Sequence, residues 1–245
     1  MRFLLYNIRY GAGIGRQFHF PVPYSGYLKP TNGNFTRILD FIRSSEPDIV
    51  GLVEVDSGSY RVEKKSQADV LAAELNHQVV YSSKYAEASM AGRLPLLNKQ
   101  GNALLTNRLI VGQKLHFLQN GVKRLVIEVE LPDFHVFLVH LSLKYRHRQY
   151  QLHELYTLIK ECKKPVVVAG DFNAMWGAGE LKLFLAATGL DSANSSRLFS
   201  FPSRLPVMEL DFIFHSPEMK TTDFHMPPVK YSDHVPLIWD FDLAA

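Results

Sequence analysis

The chain has 245 residues, of which 47% are hydrophobic and 21% charged, and this composition is typical of a globular chain with an ample core. A single cysteine, Cys162, excludes an intrachain disulfide, and the absence of a run of about 18 apolar residues argues against a membrane span. The formal net charge of +3 is mildly basic, so it suits a polyanionic partner without requiring one.

The length fits a single domain over residues 1–245, because α/β and all-β folds often reach about 200–250 residues as one unit. The first residues, MRFLLYNIRYG, do not match a signal peptide, since Asn7 and Arg9 interrupt the apolar run. We therefore expect a cytoplasmic protein, and nothing in the sequence implies an obligate protein partner.

Strand and helix patterns alternate in the first part of the chain. They predict a strand over residues 2–9 and a long Gly-, Pro- and aromatic-rich loop over 10–33. A helix over 35–44, a buried strand over 48–55 and a short helix over 67–75 follow. A loop as long as the one at 10–33 is often functional.

The middle of the chain changes to successive strands. Residues 101–141 contain NALLTN, VGQKLHFL, RLVIEVEL and HVFLVHLSL, and the pair Asn120-Gly121 between two of them indicates a hairpin. A helix at 147–161, the strand PVVVAGD and a helix at 179–187 follow. The last third returns to strands at LDFIFHS, around 221–226, and at VPLIWDF. Consecutive antiparallel strands distinguish this mixed α/β order from the strict alternation of a Rossmann or TIM fold.

Polar side chains recur where the predicted strands end. They are Asn7, Glu54, His140, Asp171, Asn173, Asp211, Asp233 and His234. Any one of them is more simply explained as a cap, a turn former or a surface charge. Their joint occurrence favours a shared site, because a carboxylate such as Glu54 within an apolar strand is costly to bury unless it is paired or bound to a metal.

These residue types are suited to one kind of chemistry. Carboxylate and amide oxygens are the ligands of Mg²⁺, with Mn²⁺ as the alternative, whereas a lone cysteine excludes a thiolate zinc site within one chain. Hydrolysis at phosphorus needs a cation to neutralise developing charge, a base for water and donors for the phosphate oxygens. Two histidines beside such a cation therefore indicate phosphate chemistry.

The order of the motifs LLYNIRY, DIVGLVEVD, GNALLTN, VHLSL, GDFNA, LDFIF and SDHVPL resembles that of the endonuclease/exonuclease/phosphatase superfamily. This likeness extends from residue 1 to about 240, and GDFNA together with SDHVP is its most specific part. It implies a four-layer α/β sandwich, two mixed β-sheets flanked by helices, with the site at one end.

The resemblance also implies roles for individual residues. Glu54 is similar to the principal metal carboxylate, with Asn7 and Asp233 as direct or water-mediated ligands. Asp171 is similar to the aspartate that activates water, and Asn173 to the amide that donates to the scissile phosphate.

The histidines have counterparts in the family too. His234 resembles the histidine that binds the phosphate, Asp211 would orient it, and His140 matches the histidine on the leaving-group side. Asn102 matches a position near the site, where a substrate contact and a structural turn are both open.

The segment KYRHRQ offers Tyr145, Arg146 and Arg148 as contacts to a phosphate backbone, although a solvated helix start is the simpler interpretation. The predicted activity is Mg²⁺-dependent hydrolysis of a phosphodiester by one-step attack of water. The substrate would be a phosphate ester, either a nucleic acid or a phosphorylated lipid or small molecule. The alternative is a phosphomonoesterase or lipid phosphodiesterase that acts on a phosphoinositide, a GPI-like or a small phosphorylated substrate. A non-catalytic binding protein is disfavoured because no catalytic acid or histidine has been lost.

Overall fold

In a computed structural model, the protein is described over residues 1–14, 30–83 and 97–243. Twelve strands lie in these ranges and form two six-stranded sheets. The strands are β1 (Arg2–Asn7), β2 (Ile49–Asp56), β3 (Gln78–Ser83), β4 (Gln100–Thr106), β5 (Gly112–Phe117), β6 (Leu125–Glu130), β7 (His135–His140), β8 (Val166–Asp171), β9 (Asp191–Ser192), β10 (Asp211–His215), β11 (Met219–His225) and β12 (Leu237–Leu243).

Four α-helices lie in the same ranges, together with short 3-10 turns. The helices are α1 (Asn32–Ser44), α2 (Gln67–Leu75), α3 (Tyr145–Ile159) and α4 (Lys182–Thr188). The 3-10 turns are Arg9–Gly11, Tyr60–Val62, Leu97–Lys99 and Ala178–Leu181. Within the described residues, no helix combines the length and the apolar character needed to cross a membrane.

Both sheets are mixed. The first has the strand order β11-β12-β1-β2-β4-β3 and the second β5-β6-β7-β8-β10-β9. In each sheet the two central strands run parallel, β1 beside β2 and β7 beside β8, and their other described neighbours are antiparallel. Because parallel strands end at the same edge, each sheet presents two adjacent carboxyl ends at one end of the molecule.

The core consists of three apolar layers. The middle one lies between the sheets and contains Leu5, Ile127 and Leu138, all fully buried. One outer layer joins the first sheet to α1 and α2, and the other joins the second sheet to α3 and α4. The chain is thus a four-layer α/β sandwich, which confirms the predicted fold class.

Most predicted elements are present, with shifted ends. The helix predicted at 67–75 is observed as Gln67–Leu75, whereas the one predicted at 179–187 is split into a 3-10 turn and a short α-helix, Lys182–Thr188. The edge strand Gln78–Ser83 was not predicted, because its alternating half-buried residues are a weak apolar pattern.

Candidate active site

The site begins with three neighbouring strands of the second sheet. His140 ends β7 and lies opposite Asp171, which ends the parallel strand β8. Asp211 begins β10 and lies opposite Asp171 on its other side. Strand register alone therefore places an imidazole and two carboxylates side by side.

Asn7 joins the first sheet to this group. It ends β1, and its Nδ2 donates to Asp171 Oδ2 at 3.1 Å. Its Oδ1 accepts from the backbone N–H of Arg9 at 3.1 Å, which fixes the orientation of the amide. This hydrogen bond spans the two sheets at the edge where their parallel strands end.

Glu54 reaches the site through a β-bulge. Between Leu52 and Val55 the pairing of β2 with β4 shifts, so that two residues of β2 oppose Asn102. Glu54 has a φ of 59°, and its backbone N–H donates to Asn102 Oδ1 at 3.3 Å. Asn102 is fully buried, so its contact here is with the backbone that directs Glu54.

The Glu54 carboxylate faces positively charged or polarisable groups. Its Oε1 lies 3.9 Å from His140 Nε2 and 3.7 Å from Lys123 Nζ. The same His140 nitrogen lies 3.4 Å from Asp171 Oδ2. The His140 side chain thus lies within 4 Å of two carboxylates that come from different sheets.

Asp171 and Asn173 are held by a tight turn after β8. The backbone N–H of Asn173 donates to Asp171 Oδ1 at 2.9 Å, and Asn173 has a φ of 51°. Asn173 Nδ2 donates to the carbonyl of Leu141 at 2.9 Å, which leaves its second amide hydrogen for another acceptor. The turn therefore fixes both side chains before a substrate binds.

His234 is oriented by Asp211. Its Nδ1 lies 2.6 Å from Asp211 Oδ2, and Ser200 Oγ donates to the same oxygen at 2.6 Å. The ring of Phe201 packs on the imidazole with the centroids 5.0 Å apart. Asp211 Oδ1 is buried, and it has no hydrogen-bond partner among the residues that the structure describes.

The pKa values of Asp171 and His234 are both raised from their usual values. Burial raises the pKa of Asp171 to about 6, and the carboxylate of Asp211 adds to the rise, while His234 and Lys123 oppose it. Burial by itself would lower the pKa of His234, but the charge and hydrogen bond of Asp211 outweigh that effect and raise it to about 10. At neutral pH the site therefore holds an ionised Asp171 and a protonated His234.

The sequence did not single out three contributors. Arg9 Nε lies 3.4 Å from Asp233 Oδ2, Lys123 faces Glu54, and Ser200 binds Asp211. Arg9 lies inside the motif LLYNIRY, two positions after Asn7, and this proximity was the available signal, whereas Ser200 precedes Asp211 by 11 positions and lies in none of the motifs. Lys123 had none, since it follows the hairpin signal Asn120-Gly121.

The residues of KYRHRQ predicted to contact substrate lie in the first turn of α3. Tyr145 and Arg146 are exposed at the start of α3, and Arg146 contacts the hydroxyl of Tyr150. Arg148 is fully buried and pairs with Glu180. Because its guanidinium has no exposed surface, the predicted substrate contact of Arg148 is corrected to a structural role.

Arg148 also supports the turn that follows His140. Its NH1 donates to the carbonyls of Ser142 and Leu143 at 2.8 and 3.1 Å. Most of the long loop predicted at 10–33, with its aromatic residues, lies outside the described residues, so its predicted functional role stays a prediction.

The fold and this arrangement of acids, amides and histidines define a class of phosphoesterases. The model of the Endonuclease/Exonuclease/phosphatase family matches residues 4–234, so the chain belongs to that family. Members of the family are hydrolases that act on phosphate esters.

Individual proteins show the same likeness. The uncharacterised protein YbhP of Escherichia coli K12 is 34% identical over 123 residues, which are 46% of this chain and 48% of YbhP. The match thus spans about half the length of that relative.

Two solved structures share the fold. The catalytic domain of human Nocturnin, with bound sulfate, has a TM-score of 0.71 and 22% identity, covering 99% of this chain and 94% of that domain. The mannosyl-6-phosphatase Bt3783 of Bacteroides thetaiotaomicron has a TM-score of 0.70 and 14% identity, covering 99% of this chain and all of that protein (100%). At these identities the likeness concerns the fold alone.

Proposed function

We propose that this chain hydrolyses a phosphodiester by one-step attack of a water molecule that Asp171 activates, with Mg²⁺ as cofactor and Mn²⁺ as the alternative cation. The observation that carries the proposal is the Asp171 carboxylate itself. It is buried, it accepts from Asn7 and from the backbone of Asn173, and His140 Nε2 lies 3.4 Å away.

The donor set fits a hard divalent cation. Glu54, Asn7 and Asp233 would hold it through oxygen atoms, the ligands that Mg²⁺ prefers. The site includes four carboxylates, those of Glu54, Asp171, Asp211 and Asp233, and the buried Asp211 Oδ1 has no hydrogen-bond partner among the described residues. When bound, the cation would neutralise charge that develops on the phosphate in the transition state.

Asp171 is suited to act as the base. Since its pKa is raised to about 6, it is ionised at neutral pH and still basic enough to take a proton from water. The hydrogen bonds from Asn7 and Asn173 keep its oxygens in place, so little reorganisation is needed before attack.

The remaining polar groups would stabilise the phosphate and the leaving group. His234 is protonated and gives one N–H to Asp211, so its Nε2–H is available to a phosphate oxygen. The second amide hydrogen of Asn173 would serve a further phosphate oxygen. His140 would stabilise or protonate the departing oxygen, because cleavage of a diester requires that the leaving alkoxide be stabilised.

The test compares bis-p-nitrophenyl phosphate with p-nitrophenyl phosphate in the presence of Mg²⁺. We expect turnover of the diester that is lost in Asp171→Asn and His234→Ala, while the exposed-acid control Asp191→Asn retains it. The monoester is included because a mannosyl-6-phosphatase is among the similar structures. Cleavage of the monoester alone would contradict the assignment as a diesterase and favour a phosphatase.

Plasmid DNA and a phosphoinositide panel then identify the substrate class. Affinity for nucleic acid should fall steeply with salt, whereas activity on a lipid should rise at an interface. Binding of Mg²⁺ without turnover of any of these substrates would contradict the proposal and favour a binding protein.

A further inference from the structure

A second group of metal-binding side chains lies far from the catalytic residues. It consists of His116 on β5, Glu128 on β6, His135 on β7 and Cys162 just after α3. His135 begins the strand that His140 ends, and five residues of strand correspond to about 17 Å. The four side chains line an open cleft of about 300 Å³.

The fold brings these residues together on one face of the second sheet. His135 shares its face with Phe137, which packs in the layer under α3, and the two rings are stacked with their centroids 6.4 Å apart. Glu128 is 6% exposed between the two histidine strands. Cys162 approaches from the end of α3, so the group connects the sheet to that helix.

The distances suit three ligands to one cation. Glu128 Oε1 lies 3.2 Å from His135 Nδ1, and the ligand atoms of Glu128, His135 and Cys162 all lie within 4.8 Å of one another. Ligands around a tetrahedral zinc ion are separated by about 3.3–3.8 Å, given bond lengths of about 2.0–2.3 Å. Small side-chain rotations therefore suffice to close the group around an ion.

Two observations indicate that the group could bind a ligand. His135 Nδ1 is buried and, despite its nearness to Glu128, makes no hydrogen bond with any residue the structure describes. Such a nitrogen is costly to bury, and a cation would satisfy it. His116 Nε2 lies 2.7 Å from the other oxygen of Glu128, the position from which a neighbour orients a metal-binding carboxylate.

We propose that Glu128, His135 and Cys162 form a structural site for a borderline-soft divalent cation, with Zn²⁺ the best match, and that His116 orients the carboxylate or supplies a fourth ligand. Thiolate, imidazole and carboxylate are the ligand types of zinc, whereas the oxygen donors of the catalytic site favour Mg²⁺. Such a site would need only one thiolate, so the single cysteine of the chain is sufficient for it.

The surroundings are compatible with this assignment. Lys114 Nζ lies 3.9 Å from Glu128 Oε1, but its side chain is 72% exposed and can turn to solvent when an ion binds. Burial raises the pKa of the Cys162 thiol to about 11, so a binding ion would have to displace the thiol proton.

Cobalt is the probe that distinguishes the two sites. The full chain is stripped with a chelator and titrated with Co²⁺, and a thiolate-to-cobalt charge-transfer band in the near ultraviolet reports Cys162, since the chain has one cysteine. We expect this band in the wild type and in Glu54→Gln, and its loss in Cys162→Ser. His135→Asn should weaken cobalt binding at this site at least about tenfold. His153 is exposed on α3, and His153→Asn is the matched control that should leave cobalt binding unchanged.

X-ray absorption at the zinc edge identifies the atoms that surround Zn²⁺ in the wild type, so this measurement does not depend on whether the variants fold. One sulfur and two or three nitrogen or oxygen neighbours around Zn²⁺ in the wild type would support the site. A cobalt-loaded wild type without the charge-transfer band, or a zinc ion without a sulfur neighbour, would overturn it.

Discussion

At the scale of single residues, Asp171 and His234 illustrate how one buried environment produces two roles. Burial disfavours the charged form of both groups. The neighbouring carboxylate of Asp211 repels the charge of Asp171 but attracts that of His234. The result is a carboxylate with a pKa of about 6, the proposed base, beside a histidine that stays protonated at neutral pH. This difference follows from the position of Asp211, which lies opposite Asp171 in the strand pair and also contacts His234.

Replacing the base should abolish most of the activity. Asp171→Asn removes the proton acceptor, so we expect kcat/KM for the diester to fall by about 10²–10⁴-fold. Circular dichroism and thermal unfolding check that the variant is folded. An activity within a few-fold of the wild type would assign the base to another residue.

The pair of His234 with Asp211 should make stability depend on pH. The pKa of His234 is raised from 6.5 to about 10, so its contribution to the free energy of unfolding is complete below about pH 6.5 and disappears as pH rises to about 10. Urea unfolding of the metal-free wild type and of His234→Asn should show a difference that shrinks across this range. A difference that is constant with pH would mean that the histidine is neutral in the folded protein.

At the scale of elements, the site depends on irregularities in otherwise regular strands. A bulge in β2 directs Glu54, a turn after β8 fixes Asn173, and Arg148 on α3 supports the turn after β7. The bulge is stabilised by the buried side chain of Asn102, and the turn after β7 by that of Arg148. Substitutions of these residues should act through position or stability.

Removing Arg148 should destabilise the fold. In Arg148→Met the Glu180 carboxylate, whose side chain is 4% exposed, loses its cation, and such a loss costs about 3–5 kcal/mol of unfolding free energy. Chemical denaturation of this variant and of Arg148→Met/Glu180→Met tests the pairing, because the double variant should recover most of the loss. A single variant with unchanged stability but a raised KM would instead restore Arg148 as a substrate contact.

The elements were predictable to the extent that their patterns were strong. Apolar runs such as VVVAG identified central strands, and the polar residues at their ends include most of those that the structure brings together in the candidate site. The bulge at Glu54 could not be predicted, since it arises from pairing with Asn102, 48 positions away. Arg148 resembled an exposed phosphate contact because its partner, Glu180, is 32 positions distant in the chain.

At the scale of the whole molecule, the sandwich brings the carboxyl ends of parallel strands from two sheets to one edge. Asn7 and Glu54 come from the first sheet, whereas His140 and Asp171 come from the second. The proposed zinc site lies at the opposite end of β7 and could not be foreseen, because its residues come from separate elements and match no contiguous motif. The two sites would therefore respond to different cations.

Mg²⁺ should stabilise the folded protein through the catalytic site. At about 100 times the dissociation constant, the expected gain in unfolding free energy is about 2.7 kcal/mol. Thermal unfolding with and without Mg²⁺ should show this gain in the wild type and in Cys162→Ser but not in Glu54→Gln. An equal gain in Glu54→Gln would place the cation elsewhere.

The central claim, direct attack of water held by Asp171, is tested by the stereochemistry of hydrolysis at phosphorus. A phosphorothioate diester of defined configuration is hydrolysed in isotopically labelled water, and the configuration of the product is determined. A single in-line displacement by water predicts inversion. Retention would contradict the account, because it requires a covalent intermediate on the enzyme and two successive displacements.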